Sequence, residues 1–419
     1  MKKLLVFSMF TLLSISGLFA LLATEAEAIP AFSRQIEKNC TVCHVAFPKL
    51  NETGRIFQAN GFRFPDDEEW QDVKDMASLP VSAEIEFEVY RNSDDGATGA
   101  KKKVESDALV EELELLAGAP LGKDGKVSVF GTLAVEQENN QKVDAEYATA
   151  LGTTFIQIND LVGGTGKGLL NARAGQWDIA LPFLSHSQRV IKNRYLAQKP
   201  LGVLGSGDGS DELVRRAVEL NGQIAAADDS GMPTHRYAVG LIRNDYENRA
   251  LSATPPATEE SARKDRLAKP GVYGSYTVTL AEQVSLGVIY KRDVTNETTA
   301  VDPPSVALNK YGVASELTIG PVIGTLGYFA GETANNLDYD NWLIEVLFVP
   351  NKKVVLGARY DQLTREQFNP AIETTFTARY NILSNVYTLV EYRLRQDDTN
   401  IAGSNDAQRR GRFYLVALF

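Results

Sequence analysis

From about Val81 to Phe419 the chain alternates apolar with polar residues, and its connections alternate short with long. In Ala83-Glu84-Ile85-Glu86-Phe87-Glu88-Val89 every second residue is apolar and the residues between are acidic. Thr388 to Arg395 does the same with mixed charge: Val390, Tyr392 and Leu394 share one face, and Glu391, Arg393 and Arg395 share the other. Period two describes strands with one face in an apolar medium and one in a polar medium. A soluble sandwich satisfies that pattern too, so the connections have to decide. About sixteen strand-like segments are joined by tight turns near 122–125, 281–283, 320–321, 350–353 and 384–385. Between these turns lie long polar stretches, the largest being Arg91 to Asp107, Pro182 to Asp211, Asn244 to Lys269, Lys291 to Pro304 and Gln396 to Arg410. Outer-membrane barrels sort their loops in this way, with short periplasmic turns and long outer loops. The turns around 163–168 and 225–234 are intermediate in length, which leaves the count good to about two strands. Phe413, Leu415, Ala417 and Phe419 form an apolar face that ends on an aromatic residue, as terminal barrel strands commonly do. The expected fold is all-β: a transmembrane antiparallel β-barrel of about sixteen strands over 81–419.

An export signal precedes it. Lys2 and Lys3 lead into an apolar stretch from Leu4 to Leu22, and Ala26-Glu27-Ala28 offers small residues for cleavage after Ala28. Nothing downstream supplies the roughly 18 unbroken apolar residues of a membrane helix. The net charge of −11 makes the chain a poor candidate for nucleic acid and a plausible one for cationic partners.

The segment 29–80 differs from the rest. Asn39-Cys40-Thr41-Val42-Cys43-His44 contains the only two cysteines in the chain and one of its three histidines. Thiols at i and i+3 can both add to the vinyl groups of one haem, and the adjacent His44 then offers an imidazole nitrogen to the iron. The alternative, a CxxC disulfide favoured by an oxidising compartment, has no use for the histidine. The expectation is one haem c held by Cys40 and Cys43, with His44 as axial ligand. A helix is expected over Cys40 to His44, and a second from the cap candidate Asn51 to just before Gly61. Phe32, Phe47, Phe57, Phe62 and Phe64 supply packing material. So short a segment is marginal alone, and a covalent haem or a surrounding wall would staple it.

The run Ile29-Pro30-Ala31-Phe32-Ser33-Arg34-Gln35, the haem motif, Phe47-Pro48-Lys49-Leu50-Asn51, Gly54-Arg55 and Asn60-Gly61 together resemble a known module. It is similar to that of the fused outer-membrane monohaem c-type cytochrome–porins of iron-oxidising bacteria. The likeness covers residues 29 to 63, and Ile36-Glu37 stands where that family carries a Thr-Gly pair. The resemblance implies oxidation of extracellular Fe(II), with the electron passed through one haem to a periplasmic c-type cytochrome or other carrier. From its small size and its place just before the first strand, the N-terminal module is expected to act as a plug, inside the barrel or at its periplasmic mouth.

Candidates for a second axial ligand are Met76, Met232, His186 and His235. Met76 is favoured because it lies within the haem module. His186 reads as a solvated residue of an outer loop, and His235 and Met232 as flanks of a periplasmic turn. Arg34, Arg55 and Arg63 are candidates to pair with haem propionates, or else form a solvated basic face. The row Glu84, Glu86 and Glu88 is expected to line the lumen, where it would draw Fe(II) inward or simply provide the polar lining common to porins. Asp94, Asp95, Asp397 and Asp398 are the same case in outer loops. No G-x-S-x-G, zinc-type histidine spacing or phosphate loop is present, which argues against a hydrolase. Two other readings share the fold: a general redox conduit with another donor or outward flow, and a diffusion porin whose haem module is a gate or sensor.

Overall fold

Every barrel strand pairs antiparallel with its neighbours in sequence, and the last pairs with the first, so the barrel of this computed structural model is closed. It describes residues 32–33, 39–64, 81–94, 103–122, 124–137, 147–185, 187–198, 214–224, 233–243, 270–296, 305–332, 338–366, 370–398 and 405–419. Before the barrel the described residues include a short hairpin, β1 (His44–Ala46) and β2 (Lys49–Leu50), and a helix, α1 (Glu52–Ala59). The first half of the wall is β3 (Val81–Asp94), β4 (Lys103–Leu121), β5 (Val127–Gln137), β6 (Tyr147–Val162), β7 (Leu170–Asp178), β8 (Val214–Ile224), β9 (Thr234–Ile242) and β10 (Gly271–Leu280). The second half is β11 (Val284–Asn296), β12 (Ser305–Ile319), β13 (Val322–Glu332), β14 (Asp338–Asn351), β15 (Val354–Arg365), β16 (Ala371–Asn381), β17 (Val386–Asp398) and β18 (Asn405–Leu418).

Closure runs through the end of the chain. Leu415 faces Phe87 across the β18–β3 seam. Phe419 and Ala83 exchange backbone hydrogen bonds of 2.7 and 2.9 Å. The terminal aromatic residue is therefore part of the seam, where closing the ladder leaves no row of unpaired amides to recruit another strand.

The period-two pattern sorts the side chains as expected. On β14, Leu343 and Leu347 are at most 1 % exposed, while Ile344 and Val346 between them exceed 40 %. Outward positions on neighbouring strands are Leu286, Val288, Val313 and Leu326, with Tyr276, Tyr311, Trp342 and Tyr392 also exposed. An apolar exterior that carries aromatic residues suits a barrel standing in lipid. Inward positions carry Glu316, Glu345, Arg359, Asp361, Glu373 and Glu391.

Three expectations change. The strands run from nine residues in β7 and β9 to nineteen in β4, and about 9–11 suffice to cross a membrane. The excess belongs to stretches expected as outer loops: β3 extends to Asp94, β11 to Asn296 and β17 to Asp398. Beyond the apolar band both faces meet water, so pairing continues after the hydrophobic alternation has stopped. Second, the stretch beginning at Pro182 does not stay outside. Residues 179–185 and 187–198 turn into the lumen, where Leu181, Ile191 and Leu196 are at most 1 % exposed. Its backbone is held from the wall: the Leu196 amide donates to Asp361 at 2.6 Å, and Arg359 donates to the Asn193 carbonyl at 2.7 Å.

Third, no helix spans Cys40 to His44. Cys40–Val42 form a single 3-10 turn capped by Asn39, whose side chain accepts the Thr41 amide, and His44 begins β1. The β-branched residues Thr41, Val42 and Val45 disfavour helix, and Pro48 excludes the helical region at Phe47. The second expected helix is present. Asn51 caps it by accepting the Gly54 amide at 2.9 Å, and it ends before Gly61, whose φ of 67° suits a residue without a Cβ.

Candidate functional site

Residues 39–64 lie inside the barrel at the end that carries the short turns. Their partners are the turn-side residues of many strands. Ser128 of β5 donates to the Gly61 carbonyl at 2.7 Å, Gln157 of β6 and Asn171 of β7 to the Ala59 carbonyl, and Gln223 of β8 to the Ile56 carbonyl at 3.1 Å. Phe57 and Phe62 pack with Phe155, Trp177 and Tyr273 in one buried aromatic cluster.

Three carboxylates tie this module to the wall. Glu316 of β12 receives both Lys49, at 2.7 Å, and Arg55. Glu52 of α1 pairs with Arg236 of β9 and accepts from Thr279 of β10 at 3.2 Å. Arg63 meets Asp160 of β6 at 2.7 Å. Asp160 also accepts the Gly166 and Gly168 amides, at 3.0 and 2.8 Å. All these charged groups are nearly or fully buried, so each cation requires its acid: removing one partner of a buried pair typically costs about 3–5 kcal/mol. Arg55 and Arg63, read from the sequence as candidates for haem propionates, are thus engaged with the barrel.

The cysteines sit on the 3-10 turn that leads into the β1–β2 hairpin, and His44 opens that hairpin. No disulfide joins Cys40 to Cys43, and burial pushes the Cys40 thiol up from its ordinary value. The Cys43 carbonyl accepts the Asn51 amide at 2.9 Å. Gly54 lies so close to that carbonyl that a Cβ there would stand 2.2 Å from its oxygen, so α1 packs directly on the motif. His44 Nδ1 lies 3.1 Å from the Pro48 carbonyl. A carbonyl only accepts, so Nδ1 carries the proton and Nε2 keeps its lone pair. Burial brings the imidazole pKa down to about 4, with Arg379 acting in the same direction and the Pro48 bond opposing it. A neutral imidazole with Nδ1–H held by a carbonyl is the form in which histidine ligates a metal. Two unbridged thiols spaced for thioether attachment, followed by such an imidazole, fit a haem c.

The other candidates separate clearly. Met76, Met232, His186, Arg34 and Asp95 lie outside the described residues. Asp94, Asp397 and Asp398 belong to the tips of β3 and β17. His235 is on the outward face of β9, its Nδ1 2.6 Å from the Tyr276 hydroxyl, so it points away from the lumen. Glu84, Glu86 and Glu88 face inward as expected, but not as a bare acidic row. Lys192 of the inward segment pairs with Glu86 and lies 3.8 Å from Glu84, while Arg412 and Arg410 of β18 lie 2.9 and 3.5 Å from Glu88. Sequence reasoning passed over these cations. Arg410 and Arg412 share the parity of Tyr414 and Val416, which was a signal in plain view; Lys192 gave none.

No protein-family model matches the chain, and no curated protein matches it in sequence. Solved structures do resemble its fold. The anion-selective porin from Comamonas acidovorans aligns with a TM-score of 0.56 at 10% identity, covering 82% of this chain and 99% of the porin. OprB of Pseudomonas putida gives 0.55 at 10% identity, over 81% of this chain and 94% of its own. The outer membrane channel DcaP of Acinetobacter baumannii gives 0.53 at 12% identity, over 81% and 96%. The chain therefore has a porin-like, closed sixteen-stranded antiparallel barrel.

Proposed function

We propose that this is an outer-membrane electron-transfer protein that takes electrons from extracellular Fe(II) and delivers them to a periplasmic c-type cytochrome or other carrier. The observation that carries the reading is His44: a half-buried imidazole whose Nδ1–H is held by the Pro48 carbonyl, next to a pair of thiols spaced for haem attachment, set within the lumen of a barrel. Cys40 and Cys43 would hold the haem and His44 would ligate its iron, with Met76 proposed as a second ligand. A bound haem supplies a one-electron couple. The chain's own residues would position it: the ionic contacts of Lys49, Glu52, Arg55 and Arg63 fix the module in the wall, and Phe57 and Phe62 anchor it in the wall's aromatic cluster. Ferric iron precipitates near neutral pH, so a cell gains by oxidising iron outside and importing only electrons. The short-turn end, where the module sits, is then the periplasmic end.

The resemblance of the barrel to porins supports a second reading, a diffusion porin in which the N-terminal module is a gate. Purified protein in liposomes separates the two. Electron transfer predicts reduction of the haem by Fe(II) that is lost in the Cys40→Ala, Cys43→Ala variant, with little solute flux in either form. A diffusion porin predicts solute flux that survives loss of haem.

A further inference from the structure

The hairpin that carries His44 is held from the barrel wall at its turn. Arg379 of β16 donates through Nη1 to the Phe47 carbonyl, one residue before the carbonyl that receives His44 Nδ1–H. The guanidinium is itself fixed on two further sides. Its Nε donates to Asn381 Oδ1 at 2.7 Å, and its carbon lies 3.5 Å from the centre of the Tyr387 ring. Arg379 is 5 % exposed and Tyr387 is 2 % exposed, so neither exchanges these partners for water. The Phe47 ring packs on the cluster of Tyr387, Leu389, Tyr414, Val416 and Leu418, with its centroid 5.1 Å from that of His44. The turn therefore has a polar and an apolar attachment to β16–β18, and the imidazole is suspended from it.

We propose that Arg379 is a positioning residue for His44: through the Phe47 carbonyl it holds the Pro48 carbonyl in line with His44 Nδ1–H and so sets the donor strength of Nε2. This rests on the haem reading above. The partner of a ligating histidine's second nitrogen fixes the ring and raises ligand basicity, and its loss typically costs 10–100-fold in metal affinity. Arg379 acts one step further out, so the effect belongs near the lower bound. A lysine at 379 keeps the positive charge but lacks the planar fork that reaches a carbonyl and an amide together while stacking on a ring. That contrast separates positioning from charge.

The test is a redox titration of the full-length, haem-loaded protein followed by haem absorption, comparing wild type with Arg379→Lys and Asn381→Ala. Positioning predicts that Arg379→Lys favours the ferrous form about tenfold at a fixed potential, a rise of about 59 mV for one electron. Asn381→Ala, which keeps the arginine but removes its Nε acceptor, shifts the same way by less. A wild-type potential in Arg379→Lys, with haem attached and the barrel folded, overturns the proposal, because charge alone would then account for Arg379. Should Arg379→Lys fail to assemble, an unshifted Asn381→Ala overturns it equally. A wild-type protein without any c-type spectrum instead removes the haem reading itself.

Discussion

Arg63 of the N-terminal module and Asp160 of β6 meet at 2.7 Å with neither side chain accessible to water, although 97 residues separate them in the chain. The bond joins the end of the small module to the wall that surrounds it. Asp160→Ala removes the carboxylate from a buried guanidinium, which still donates to the Asn60 oxygens. The expected outcome is a loss of about 3–5 kcal/mol in docking of the module, with the barrel still folded. Amide exchange checks this: residues 52–63 should exchange faster while β14 and β15 are unchanged.

Glu316 serves two cations, so its replacement acts on both. Glu316→Gln sets Lys49 and Arg55 near each other without an acid between them, and should destabilise docking more than Lys49→Met does. Combining Glu316→Gln with Lys49→Met should recover part of the loss, a non-additivity of about 0.5–3 kcal/mol for residues in contact. Limited proteolysis of the four forms in detergent reads the order directly.

The pH dependence of docking follows from His44 in the haem-free Cys40→Ala, Cys43→Ala form. The ordinary imidazole value is 6.5 and burial lowers it to about 4 in the folded protein. Between these values the undocked state binds more protons, so docking strengthens as pH rises through the window and is progressively lost as pH falls through it. One proton sets a maximum slope of about 1.4 kcal/mol per pH unit. Replacing His44 with Gln should flatten the dependence, as followed by amide exchange of α1 between pH 4 and 6.5.

On β14 the two faces respond to different chemistry. Val346→Arg places a charge on the lipid face and should cost about 2–4 kcal/mol if that position lies at the midplane. Leu347→Ala opens a hole against Val190, Ile191 and Val355 and should cost about 2–5 kcal/mol. Refolding titrations into lipid vesicles measure both, and Val346→Leu is the control expected to be nearly neutral.

The barrel was legible because lipid imposes a rule on every strand: Val346 and Leu347 differ in face for the same reason that Val390 and Glu391 do. Helix α1 was legible from its local stops, Asn51 and Gly61. The inward segment was not. Leu181, Phe183, Val190 and Ile191 are spaced without a strand or helix period, and their burial depends on Asp361 and Arg359 more than 160 residues away. The haem-type motif could be read as chemistry but not as geometry, since the β1–β2 hairpin is set by Pro48 and by the wall residue Arg379. Pairs such as Arg63 with Asp160 are chosen by closure of the barrel, which carries no local mark in either segment.

The most direct measurement follows haem absorption in outer membranes bearing this protein while Fe(II) is added without oxygen, with the Cys40→Ala, Cys43→Ala form as control. The account predicts rapid reduction of a c-type spectrum that is absent from the control. A c-type spectrum that ignores Fe(II) yet responds to dithionite would contradict the assignment of Fe(II) as donor, and the absence of any haem spectrum would contradict the account at its root.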